Sequence, residues 1–429
     1  MREADMVIQF EEAPVLTTSR RASLRRLNAV FSGFVVALVL FAPLAMGANR
    51  PEFWMLWSGV IFALHGAYLA LISWVAPGRK LQVMREGQWR APMIGLTFAT
   101  FVLWQILAPV SLAPDAGALG LIRILAYISL FALTLELAGQ GRRMAVFLVI
   151  GIAAHALWGL AALRLFGDIA LWGEKSAYFG VVTGPFVNRN SFATFLGFGL
   201  TTSLALVMAR GRQRGMLALC LAVIVLALIG TGSRAGMVSS FAGAGVVFVV
   251  MRWRSGARPG RGLAEVAGLF LIVALGLALA DGGARFRDLA EGVGDRGALW
   301  RHALSMAAAR PFSGVGLDAF ALAFEQTHPI TLNPVLIWDL PHNSYLTLWV
   351  EAGFVAGSLP PLAAALALQR ALIHLRRQRD PALPAAALGV GIIGALHSLV
   401  DFSLEMQANV LLFVVILVLG SGRREYAVD

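Results

Sequence analysis

Residues 215–251 read GMLALCLAVIVLALIGTGSRAGMVSSFAGAGVVFVVM, two apolar runs split by the hairpin Thr231-Gly-Ser-Arg-Ala-Gly236. Each run nears the length that carries a helix across about 30 Å of hydrocarbon. Neither alternates with period two, so the runs are helices rather than barrel strands. The pattern recurs along the chain, with spans expected at 27–47, 52–76, 91–113, 117–138, 144–166, 191–210, 215–232, 234–252, 263–280, 343–368, 384–402 and 406–421. The fold class is therefore all-α: a polytopic membrane protein of about 12 transmembrane helices, with a large outer loop, 281–342, that carries short helices.

Composition agrees. The chain of 429 residues is 58% hydrophobic and 14% charged, with a mean hydropathy of +0.75, outside the range of soluble domains. A net charge of +11 would suggest a nucleic-acid partner in a soluble protein, but topology accounts for it. Alternate connections hold Arg79 to Arg90, Arg142 and Arg143, Arg210 to Arg214, Arg252 to Arg261, Arg370 to Arg379, and Arg423 with Arg424. Cytoplasmic loops carry such an excess. Both termini then lie inside: residues 1–26 form a cytoplasmic arm, 27–421 one transmembrane domain, and 422–429 a cytoplasmic tail. The polar arm ahead of the first span predicts an uncleaved anchor rather than a signal peptide. The single cysteine, Cys220, allows no internal disulfide.

Four polar clusters remain on the outer side. Asn188-Arg-Asn-Ser191 opens a span, where helix N–H groups and the planar fork of Arg189 suit phosphate oxygens; a capped helix start with Arg189 reaching headgroups is the alternative. The 231–236 hairpin places Arg234 at the boundary, facing phosphate of either lipid or substrate. In Pro341-His-Asn-Ser-Tyr345, Asn343 or Ser344 caps a helix and His342 sits at its positive end, where a neutral base is favoured. Glu351 lies about two turns further on and calls for an outer arginine as partner. His397 and Asp401, four apart, share a helical face; mutual hydrogen bonding that braces it is the expected role, with a metal half-site the alternative. In the large loop a helix is expected over 295–309, capped by Asp295, with Leu299, Trp300, Ala303, Leu304 and Ala307 on one face; a second helix is expected over 317–324. No metal-binding or nucleotide-cradling motif occurs, so neither metal nor other cofactor is expected.

The runs Gly184-Pro-Phe-Val-Asn-Arg-Asn-Ser-Phe192, Thr231-Gly-Ser-Arg-Ala-Gly236, Pro311-Phe-Ser-Gly-Val-Gly-Leu-Asp-Ala-Phe320 and Pro341-His-Asn-Ser-Tyr-Leu346, followed by Glu351 and Gly353, resemble the O-antigen ligase and polymerase family. The resemblance covers about residues 180–405. It implies a membrane glycosyltransferase of the GT-C type that takes a glycan from an undecaprenyl-pyrophosphate carrier at the periplasmic face of the bacterial inner membrane. By the same comparison Arg189 and Arg234 match the arginines that hold pyrophosphate and His342 the histidine important for transfer. Asn188, Asn190, Arg301, Asn343, Glu351, His397 and Asp401 are supporting candidates. The acceptor is a lipid or a growing polysaccharide, and membrane lipids are the remaining partner. A multi-span transporter or flippase is the competing class, with a noncatalytic assembly protein a third. Charges at the outer rim rather than the midplane favour the transferase.

Overall fold

The computed structural model describes residues 17–85, 87–256, 284–329, 332 and 338–422, with backbone alone over 284–295. Apart from an isolated bridge between Ala170 and Gly173, the regular elements among the described residues are helices. The first five are α1 (Thr18–Phe41), α2 (Pro51–Val75), α3 (Arg90–Leu107), α4 (Pro114–Glu136) and α5 (Gly141–Arg164). A long connection leads to α6 (Arg189–Met208), α7 (Arg214–Gly230) and α8 (Arg234–Arg254). Then come α9 (Ala284–Ala309), α10 (Phe320–Thr327), α11 (Ser344–Gly357), α12 (Leu359–Arg377), α13 (Ala382–His397) and α14 (Gln407–Ser421).

Seven of these are long and apolar enough to cross a membrane, and the bent pair α11 and α12 makes an eighth. The helices α7, α13 and α14 are apolar but shorter. Eleven of the expected spans therefore coincide with described helices; the one at 263–280 lies outside the described residues. Several boundaries differ. α1 starts at Thr18, capped by the Thr17 hydroxyl accepting from Arg20 N, so the helix reaches into the expected arm. α9 starts at Ala284 rather than at Asp295, so Asp295 is no N-cap.

The span expected at 343–368 is broken, with α11 and α12 meeting at 67°. Within α11, Gly353 leaves the helical conformation at φ 74°, ψ 170°, a region that favours glycine. The Pro311–Gly316 loop fills the break. Val315 N donates to Val350 O (3.0 Å), Gly316 N to Glu351 O (2.9 Å) and Phe354 N to Pro311 O (2.8 Å). The Gln105 side chain adds a donor to Glu351 O at 2.8 Å. Carbonyls freed inside an apolar bundle need such partners, because no water reaches them.

At the centre lies α6, most of whose residues are buried, with Phe192, Phe195 and Phe198 fully enclosed. Burial from lipid yields little hydrophobic gain, so close packing must hold the helices together. Small residues permit it. A Cβ on Gly243 of α8 would stand 2.6 Å from the Gly389 carbonyl of α13, and one on Gly197 of α6 would meet Ser240 of α8. A second cluster joins α9, α10 and α11 through Leu299, Ala303, Ala307, Phe320, Phe324 and Val350. Leu304, expected on that face, is exposed; the second loop helix begins at Phe320 rather than 317.

The connections gather at two ends. At one, Arg142 pairs with Asp380 (2.9 Å), Arg79 with Glu136 (3.4 Å), and Arg254 donates to Gln378 O (3.0 Å). These are the arginine-rich connections of the charge count. At the other end the 165–188 connection, the α7–α8 turn, the α13–α14 turn and the start of α11 come together.

A Cβ on Gly314 would lie 2.2 Å from Glu351 O, with the backbone at φ +62°. Gly314→Ala should therefore destabilise the protein by more than about 2 kcal/mol, whereas Gly33→Ala, with open space around it, should change the melting temperature in detergent little. Equal melting of the two variants would contradict the packing of this loop into the broken helix.

Candidate functional site

The site is assembled from helix starts. Asn188 is the N-cap of α6, its side chain accepting from Asn190 N at 2.7 Å. That makes Arg189 the first residue of the helix and turns the Asn190 side chain across the bundle. Ser233 likewise caps α8, accepting from Gly236 N at 3.2 Å, and so makes Arg234 the first residue of that helix. Asn190 bridges the two: its Oδ1 accepts from Ser233 Oγ (2.8 Å) and its Nδ2 donates to Asp401 Oδ1 (3.2 Å).

Asp401, in the α13–α14 turn, is almost completely buried. It also accepts from Ser403 Oγ, and its other neighbour is His342, whose Nδ1 stands 3.9 Å from Asp401 Oδ1. That separation suits an ion pair and exceeds a direct hydrogen bond. The His342 ring packs on Phe402 with centroids 5.0 Å apart, and its backbone is left-handed at φ 53°, an uncommon conformation for a side chain of this size. Flanking contacts hold it there. Trp300 Nε1 donates to Pro341 O (2.9 Å), Ser344 N to Ser398 O (3.0 Å), and Ser344 Oγ to Asp401 O (3.3 Å). Asn343 caps α11, accepting from Tyr345 N (3.1 Å) and Leu346 N (3.2 Å).

Three sequence expectations are corrected. His397 and Asp401 do not bond to each other; the helix ends at His397, which turns its Nδ1 to Thr194 Oγ1 of α6, while Asp401 faces Asn190 and His342. Glu351 is buried but takes no arginine among the described residues. Its Oε1 accepts from Phe320 N at 3.2 Å, closing the start of α10. The nearby Arg123 spends its guanidinium on Asp318 (2.9 Å) and lies over the Trp54 ring at 4.2 Å. Arg301 is exposed on α9, its Nε bonding the Gly297 carbonyl of its own helix (3.3 Å), and is not drawn into the cluster.

Several neighbours carry no motif of their own. Ser233, Thr194 and Ser403 are short polar residues whose role depends on cross-helix geometry, although the N-cap position of Ser233 was readable in the hairpin. Tyr178 lies beside Arg189, its ring centroid 5.6 Å from the guanidinium carbon. Glu405 accepts from Thr347 Oγ1 (3.1 Å), and burial pushes its carboxyl up to about 7 against the pull of Ser344 and Thr347. Among the described residues no three His, Cys, Asp or Glu side chains are grouped to hold a metal ion.

Residues 216–360 match a family model described as O-antigen ligase. The match contains Arg234 and His342; Arg189, Asn190 and Asp401 lie outside it. No curated protein matches the chain significantly.

Burial disfavours the charge on Asp401, yet His342, the His397 charge, Ser403 and Asn190 outweigh it and hold the carboxyl below its ordinary range. A depressed folded-state value means the contribution to stability is present above about pH 4 and is lost as pH falls below it. Asp401→Asn should accordingly lower stability at neutral pH and flatten the acid limb of a melting-temperature profile. An acid limb identical to wild type would contradict the assignment.

Proposed function

We propose, from the match of residues 216–360 to an O-antigen ligase family model, that the chain transfers a glycan from an undecaprenyl-pyrophosphate carrier to a lipid or growing polysaccharide acceptor. The chain is an integral membrane protein of helices, and in this reading it lies in the bacterial inner membrane with both termini cytoplasmic and the site facing the periplasm. One observation carries the proposal. The Asn190 and Asp401 bridge brings the starts of α6 and α8, each opening on an arginine, to the same end as His342.

In this reaction the bond between the anomeric carbon and the pyrophosphate oxygen breaks as the acceptor hydroxyl attacks from the opposite side. Arg189 and Arg234 bind the pyrophosphate and offset the charge that develops as it leaves with its polyprenyl chain. Fixed cations at helix N-termini suit that task, since pyrophosphate is already a good leaving anion. His342 takes the hydroxyl proton on Nε2. Its Nδ1–H side faces Asp401, so the imidazolium that results is stabilised by a carboxylate held ionised, the division of labour seen in histidine and aspartate pairs elsewhere. The residues need no metal for this step, and a single displacement inverts the anomeric centre.

Purified protein given an undecaprenyl-pyrophosphate oligosaccharide and acceptor lipid should transfer glycan undiminished by EDTA. Arg189→Ala and Arg234→Ala should each lower kcat/KM by about 10²-fold or more, and His342→Ala by about 10² to 10⁴-fold, while remaining folded. A ladder of products identifies a polymerase and a single addition a ligase. Movement of intact lipid or solute across proteoliposomes with no glycan transfer would overturn the proposal in favour of a transporter, and retained anomeric configuration would contradict single displacement.

A further inference from the structure

The 165–188 connection between α5 and α6 has almost no regular structure, yet it is tied at fixed points. The Asp168 carboxylate accepts from Lys175 Nζ and from Gly180 N (2.6 Å), and Lys175 Nζ also donates to Val181 O (2.7 Å). Beyond that clamp, Val182 N donates to Gly230 O at 2.9 Å and seats the segment on the α7–α8 turn. Inside the clamp Tyr178 is forced left-handed, at φ 56°. An aromatic residue rarely adopts that conformation, and its surroundings must impose it.

The ring meets Arg189, with 5.6 Å between its centroid and the guanidinium carbon, inside the range of a cation–π contact. On another side, a Cβ built on Gly232 would lie 3.6 Å from Arg189 Nη1. Arg189 Nε is buried with no hydrogen-bond partner among the described residues, and no carboxylate among them pairs with this arginine. Burial and the Asp401 carboxylate push the Tyr178 hydroxyl above its ordinary range, while Arg189 and Arg296 pull it down.

We propose that Tyr178 is a positioning residue that fixes the Arg189 guanidinium for a pyrophosphate-bearing ligand, and that the Asp168 and Lys175 clamp holds its ring in place. The inference rests on the reading of Arg189 as a phosphate-binding group. Its physical logic is one of charge. A carboxylate would hold the arginine equally well, but it would neutralise the cation and occupy the N–H edge that phosphate oxygens need. An aromatic face restrains the guanidinium plane and leaves both charge and edge available.

The test is binding of undecaprenyl pyrophosphate to the purified full chain in detergent, with melting temperatures measured alongside. Tyr178→Leu should weaken binding about tenfold and Tyr178→Phe by less than about twofold, because the ring carries the contact. In an Arg189→Ala background, Tyr178→Leu should add less than about twofold, since its effect runs through that arginine. Lys175→Gln, which keeps the ring but loosens the clamp, should weaken binding several-fold and show the same dependence on Arg189, so the inference stays testable where Tyr178→Leu does not fold. Wild-type affinity in both Tyr178→Leu and Lys175→Gln, equal losses with and without Arg189, or a Tyr178→Phe loss as large as that of Tyr178→Leu would overturn it. Wild-type affinity in Arg189→Ala would instead overturn the underlying reading of the arginine.

Discussion

A carboxylate buried among apolar helices is tolerated only when protein dipoles and cations replace its water. Asp401 is the point at which this chain meets that requirement, and the surrounding architecture follows from it. Its partners come from separate parts of the sequence: Asn190 at the start of α6 and Ser403 in its own turn donate hydrogen bonds, and His342 ahead of α11 stands at ion-pair distance. Because Asn190 uses its other end on Ser233, satisfying Asp401 also locks the α7–α8 turn. Two helix starts that open on arginine and one that follows a histidine are thereby fixed at a common end of the bundle.

A second constraint acts beneath the first. Interrupting α11 at Gly353 exposes carbonyls that an apolar interior cannot solvate, and the Pro311–Gly316 loop supplies the missing donors. The exchange anchors the large loop against the membrane core. From there α9 packs on α11 through Leu299 and Ala303, and Trp300 holds the Pro341 carbonyl. The left-handed backbone of His342 is thus maintained from both sides, by the loop above and by the α13–α14 turn beside it.

The helices and the ends they share were legible in the sequence because hydropathy and arginine placement report on the bilayer itself, a solvent common to every span. Caps were legible where a short polar residue precedes a helix, as with Asn343. Side-chain pairing was not. His397 and Asp401 sit at helical spacing, but the helix stops at His397 and the two residues point to different neighbours. Glu351 called for an arginine by its charge, and instead closes the start of α10 through Phe320 N, a backbone donor no sequence pattern announces. Tyr178 was invisible for a similar reason: it lies in an irregular connection and meets Arg189 only because the clamp of Asp168, Lys175 and Gly180 around it bends the loop back.

The proposed mechanism requires pyrophosphate at the Arg189 and Arg234 helix starts, on the side that faces His342. A cryo-EM map of the protein with undecaprenyl pyrophosphate should show density for the two phosphates between those arginines, with the polyprenyl chain leaving toward lipid. Phosphate density at the arginine-rich opposite end, around Arg142 and Arg212, with the Arg189 and Arg234 site empty, would contradict it.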